Sequence, residues 1–241
     1  MKKFKAIRQA AEKRKGGATQ VAKLLTPPKT VKQLIEISDD RYLAQMTRCV
    51  FNAGFHWRVI TNKWPDFELA FHGFDLGALL TKSPEEWEAY IEDKRIVRNW
   101  QKIQTVFQNA VMMENIIEEY GSFGQFFTQW PVNDQIGLMQ YFKKNGARLG
   151  GQTGQYFIRF IGKDSFITSD DVCTALIANG VDINNKPTSQ RDLKKVQEAF
   201  NEWQQQSGLP ISHISKILSL TVGDDIEVDQ LVAYTNRQSV S

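Results

Sequence analysis

The chain is 241 residues long, 41% hydrophobic and 24% charged, enough for one large domain or two small lobes around a real core. No stretch approaches the roughly 20 apolar residues of a membrane span, and the first residues are basic without the apolar centre of a signal peptide. Two cysteines, Cys49 and Cys173, give no disulfide framework, so a reducing cytoplasm is expected.

The net charge of +3 hides an asymmetry. Residues 1–38 hold ten Lys and Arg against Glu12 and Glu36, a surplus of +8, which leaves −5 on the remainder. A basic arm on a mildly acidic body suits a polyanion, although a solubilising tail has the same composition. The expected division is a basic arm and linker over 1–38, a helical domain over 39–228 and a tail over 229–241.

In chain order, Lys3 to Lys15 fits a charged helix stopped by Gly16-Gly17, and Pro27-Pro28 marks a linker. Leu34 and Ile37, then Tyr42, Met46 and Val50, recur at helical spacing. The run from Asn52 to Trp57 is expected on a helix. Ser83-Pro84-Glu85-Glu86 is a helix start, with serine as cap, proline at the first helical position and Glu86 able to bond back. Long helices are expected from Val97 to Tyr120 and from Val132 to Lys144, the first ended near Gly121 and the second by Asn145-Gly146. Others follow Thr188-Ser189, with Leu193, Val196, Phe200 and Trp203 at helical spacing, and Pro210, with Ile211, Ile214 and Leu218 on one face. Strand-like alternation is scarce, so the fold class is all-α.

Leu149-Gly150-Gly151-Gln152-Thr153-Gly154 is dense in glycine, and an apolar run to Phe160 and then Thr168-Ser169-Asp170-Asp171 follow. Glycine lets backbone approach a ligand closely, and the free N–H groups of a helix start can grip a phosphate. Asn52-Ala53-Gly54-Phe55-His56-Trp57 and Arg95-Ile96-Val97-Arg98-Asn99-Trp100-Gln101-Lys102-Ile103-Gln104 complete the set. Their order and separation resemble the class I 3-methyladenine DNA glycosylases of the helix-hairpin-helix superfamily, over roughly Asp39 to Ala178.

The resemblance implies two helical lobes with a cleft between them, and a repair enzyme that flips a damaged base into a pocket and cuts its bond to the sugar. Trp57 matches the family's base-stacking tryptophan, and Cys49, Asn52 and Phe55 are expected to line the pocket, although Phe51 and Phe55, one turn apart, also read as core. Lys102, Gly150, Gly151, Gln152 and Gly154 are expected to bind DNA. Asp170 matches the superfamily's catalytic aspartate, which would stabilise positive charge on the sugar; it and Asp171 also suit a helix start on electrostatic grounds alone.

The chain departs from the family at three places. Cys49 stands where the family carries a glutamate, eight residues before the tryptophan, and a thiol does not offset the charge of a methylated purine. Gln155 occupies the lysine position of the strand-cleaving members, so monofunctional hydrolysis is expected. The family's zinc needs two cysteines and two histidines, which this chain does not pair, so no metal and no cofactor are expected. The expected partner is double-stranded DNA bearing a damaged base, the protein a monomer in the cytoplasm and at the nucleoid. The rival reading is a non-catalytic DNA-binding protein that keeps the helical scaffold.

Overall fold

Several helices begin at a side-chain cap. A computed structural model describes residues 1–236; the last five residues of the expected tail lie outside the described residues. Fifteen α-helices and no strand occur among the described residues. The first five are α1 (Phe4–Arg14), α2 (Ala18–Ala22), α3 (Val31–Ile35), α4 (Asp39–Asn52) and α5 (Trp57–Ala70). Next come α6 (Leu76–Leu80), α7 (Pro84–Glu88), α8 (Trp100–Tyr120), α9 (Phe123–Gln129) and α10 (Gln135–Asn145). The chain continues through α11 (Gly151–Ile161), α12 (Asp170–Ala178), α13 (Gln190–Ser207), α14 (Ile211–Ser219) and α15 (Val228–Asn236).

The Ser83 hydroxyl accepts from Glu86 N at 3.3 Å while Glu86 Oε2 accepts from Ser83 N at 2.8 Å, the reciprocal capping box expected there. The α8 helix starts three residues later than the periodicity predicts. Asn99 takes an extended conformation and its side chain accepts from Lys102 N, which makes it the cap. Gly121 ends α8 in the left-handed conformation at φ +83°, where a Cβ is disfavoured.

Two compact units are present. One comprises residues 1–30, 131–138 and 158 onward; the other comprises residues 31–130 and 139–157. In the first, α1 packs on α13 and α14, burying Phe4, Ile7 and Ala11 on one face. Backbone groups reinforce this: Lys2 N donates to Asn179 O at 2.9 Å, Lys2 O accepts from Trp203 Nε1 at 3.0 Å, and Phe4 N donates to Gln206 Oε1 at 2.8 Å. Residues 1–30, expected as an arm, are thus folded into this unit, with Lys3, Lys5, Arg8 and Lys13 exposed on the other face of α1. The Asp164 carboxylate accepts from Ile211 N and Ser212 N at 3.0 and 2.7 Å and caps α14.

The second unit is centred on Tyr42, Phe123, Phe127, Phe142 and Phe157, all fully buried and in mutual ring contact. Each such ring contributes about 1.5–3 kcal/mol through burial. The α4 and α8 helices pack on each other beside this cluster. This packing presents the C-terminal end of α4 to the first turn of α8.

Candidate functional site

The run from Asn52 to Trp57 is a junction between two helices. Asn52 ends α4, Trp57 opens α5, and Gly54 at φ +73° turns the chain between them, which corrects the expectation of one continuous helix. Gln45, Cys49 and Asn52 follow one another at helical spacing along α4. Gln45 Nε2 donates to Cys49 Sγ at 3.3 Å, and burial pushes the Cys49 thiol up to about 12, so it is protonated and neutral at physiological pH. Asn52 is only 4% exposed, and its Oδ1 has no hydrogen-bond partner. Trp57 is half-buried and meets the Tyr156 ring edge-on, with centroids 5.2 Å apart. Phe55 is 40% exposed, so the core reading is wrong for it and right for Phe51, which is fully buried.

Lys102 has a different role from a surface contact. It is 4% exposed, and its Nζ donates to Phe51 O at 3.0 Å and Ala53 O at 2.6 Å. The same ammonium lies 4.5 Å from the centroid of the Phe55 ring. Burial, and then the Arg148 guanidinium, push it down to about 8. Lys102 therefore fastens the end of α4 and the turn before Trp57. Its ammonium is committed to backbone carbonyls, and this burial is the reason it does not offer itself to a phosphate.

The glycine-dense segment ends the turn between α10 and α11 and opens α11 at Gly151, and the turn is fixed from behind. Asn109, fully buried in α8, accepts from Ala147 N at 2.8 Å and donates to Ala147 O at 3.2 Å. Arg148 donates to Gln101 Oε1 at 2.5 Å. At Gly154 a Cβ would stand 2.2 Å from Leu149 O, so only glycine lets α11 start so close to the turn. Gly151 has φ +60° with open space around it, Gln152 is exposed, and Gln155 is buried.

Asp170 belongs to the first unit and the α4–α5 turn to the second. It is the first residue of α12, exposed, behind Ser169, whose hydroxyl accepts from Val172 N. After burial, Asp170 is the second cause that raises the Cys173 thiol, to about 11. Asp171 instead acts on the half-buried Lys216. Among the described residues no three His, Cys, Asp or Glu side chains converge as metal ligands. No helix among them is long and apolar enough to cross a membrane. Sequence reasoning missed Tyr156, Asn109 and Arg148. Of these, Arg148 and Asn109 flank motifs already singled out, while nothing in sequence pairs Tyr156 with Trp57.

The segment carrying the α4–α5 turn, residues 35–148, matches the family model of the methyladenine glycosylases. The match contains Cys49, Asn52, Phe55, Trp57 and Lys102, and ends before Gly150 and Asp170. A crystal structure of 3-methyladenine DNA glycosylase I (TAG) is similar at 22% identity and a TM-score of 0.45, covering 56% of this chain and 81% of that one. No curated protein matches the chain.

Proposed function

We propose that the protein is a monofunctional DNA N-glycosylase that flips an alkylated purine, of the size and outline of 3-methyladenine, out of duplex DNA and hydrolyses its bond to the sugar. The observation that carries this is the family match over the segment that holds Trp57 and the buried polar residues of α4. In this reading Trp57 stacks on the flipped base, Cys49 and Asn52 line its edge, and Phe55 borders the opening. The helix-hairpin-helix formed by α10, the glycine turn and α11 holds the phosphate backbone through Gly150, Gly151, Gln152 and Gly154. Asp170 stabilises the positive charge that develops at C1′ as the base departs. The C1′–N bond breaks with its electron pair going to the base, and the oxygen of one water bonds to C1′; the proton that water gives up joins the base if the base was uncharged and passes to solvent if it was cationic. Gln155 is an amide and forms no Schiff base, so the strand stays intact. The protein acts as a monomer on double-stranded DNA, in the cytoplasm and at the nucleoid.

The test is single-turnover base release, followed by mass spectrometry, from DNA treated with N-methyl-N-nitrosourea, which methylates both ring nitrogens and exocyclic oxygens of purines. Wild type releases a methylated base, and Asp170→Asn slows release by about 10²–10³-fold with DNA affinity intact. Equal rates remove the assignment of Asp170. Tight DNA binding without release favours the non-catalytic reader, a reading to which the neutral Cys49 side chain lends weight.

A further inference from the structure

The backbone at the end of α4 is fully engaged. Lys102 Nζ holds Phe51 O and Ala53 O, and Phe55 N donates to Asn52 O at 3.1 Å, so three successive carbonyls all accept. Amid this, Asn52 Oδ1 is buried and has no donor. A buried acceptor left unpaired is destabilising, and persists where a ligand completes it. Directly after it the chain is open: residues 53–56 are exposed, and at Gly54 nothing stands within 4 Å of where a Cβ would be.

The charged groups that act on its neighbours Lys102 and Cys49 have one sign. Lys102 sits beneath the turn, the charged neighbour acting on it is Arg148, and the one acting on Cys49 is Arg48. Glu68 acts on Arg48 but is committed elsewhere: it holds Arg41 through both oxygens, at 2.8 and 2.9 Å, and Trp64 Nε1 at 2.9 Å. Cys49 itself contributes a neutral thiol. A base carrying a positive charge would enter beside the Lys102 ammonium, and Cys49 offers it no carboxylate.

We propose that the base taken at this turn is uncharged and presents an N–H donor, which Asn52 reads through its unpaired Oδ1. The substrate class is a purine alkylated on carbon or on an exocyclic atom, rather than one made cationic by alkylation of a ring nitrogen. This rests on the reading of the turn as the base pocket, and it departs from a cationic lesion. A single like charge about 8 Å away at an effective dielectric of about 20 discriminates against a cationic base by about thirtyfold.

Charge is tested apart from shape with duplexes carrying a single 7-methylguanine, with its sugar 2′-fluorinated against cleavage, or a single 7-methyl-7-deazaguanine. The two lesions have the same outline, and at pH 6.5 only the first is cationic. Affinities of the full chain are measured against an undamaged duplex. The expected result is that the uncharged lesion binds about thirtyfold tighter than the cationic one. Asn52→Leu brings the uncharged lesion down to the undamaged level without lowering the melting temperature, because an unpaired acceptor is replaced by an apolar group of similar size. Asn52→Asp, which keeps the shape and adds a negative charge, moves the preference toward the cationic duplex. Equal or tighter binding of the cationic lesion overturns the proposal, as does a preference for neither lesion over guanine or an Asn52→Leu protein that keeps the wild-type preference. Base release separates this from the activity: a charge preference without release removes the enzyme and keeps the reader, whereas release of cationic bases without a charge preference does the reverse.

Discussion

Replacing Lys102 with methionine keeps the length and packing of the side chain and removes its charge. Burial holds the ammonium down at about 8, against 10.5 for a free lysine. Below about pH 8 lysine is protonated in both the folded and the unfolded chain, and the folded chain carries the whole desolvation penalty. Between about 8 and 10.5 the folded chain has released the proton while the unfolded chain still holds it, so this group makes stability rise with pH. The slope is about 1.4 kcal/mol per pH unit, or about 3 kcal/mol over the window. At pH 7 the substitution relieves that penalty but leaves Phe51 O and Ala53 O without their donor, at about 1–2 kcal/mol each, and forgoes about 0.5–1 kcal/mol of attraction to the Phe55 ring. The terms nearly cancel, and Lys102→Met is less stable by no more than about 2 kcal/mol at pH 7. Its deficit then widens by about 3 kcal/mol by pH 10.5, because only wild type gains from the release of this proton. Urea unfolding of both proteins at matched pH from 7 to 10.5, followed by circular dichroism, measures the difference, and other titrating groups cancel in it. A deficit that stays constant or narrows above pH 8 would refute the buried-ammonium account.

Two further substitutions probe the turn and the basic face. Gly154→Ala forces a Cβ against Leu149 O and should destabilise by about 2–3 kcal/mol, whereas Gly151→Ala meets only the left-handed backbone penalty of about 1 kcal/mol; equal melting temperatures would show that the turn relaxes freely. Neutralising Lys3, Lys5, Arg8 and Lys13 together leaves the buried face of α1 in place and should flatten the salt dependence of DNA binding, by up to about 0.9 in log–log slope for each phosphate no longer neutralised. An unchanged slope would show that this face never meets DNA.

What could be read from the sequence was local. The Ser83 capping box, the stop at Gly121 and the start after Ser189 depend on neighbours within four residues, and each is where its residues placed it. Gly54 carried the signal for a break before Trp57, but the apolar residues on either side suggested one helix. Lys102 is illegible for a different reason. A lysine within a polar motif implies a surface cation, and nothing in sequence says that its partners are carbonyls about fifty residues earlier. The same holds for Tyr156 against Trp57, and for Asn109 behind the glycine turn, whose pairing is set by tertiary packing. In residues 1–38 charge masked a pattern that was present: Phe4, Ile7 and Ala11 recur every three to four residues, the stripe by which α1 docks.

That docking has a consequence for the order of events during synthesis. The α1 helix leaves the ribosome long before α13 and α14, on which it packs. At about 5–20 residues per second, roughly 10–40 s pass before its apolar face has a partner. Most of the other unit lies within residues 31–157 and has its own aromatic centre ready well before that. Nascent chains arrested after residue 160 should therefore hold a protease-resistant fragment beginning near residue 31, with the preceding helix still open to cleavage.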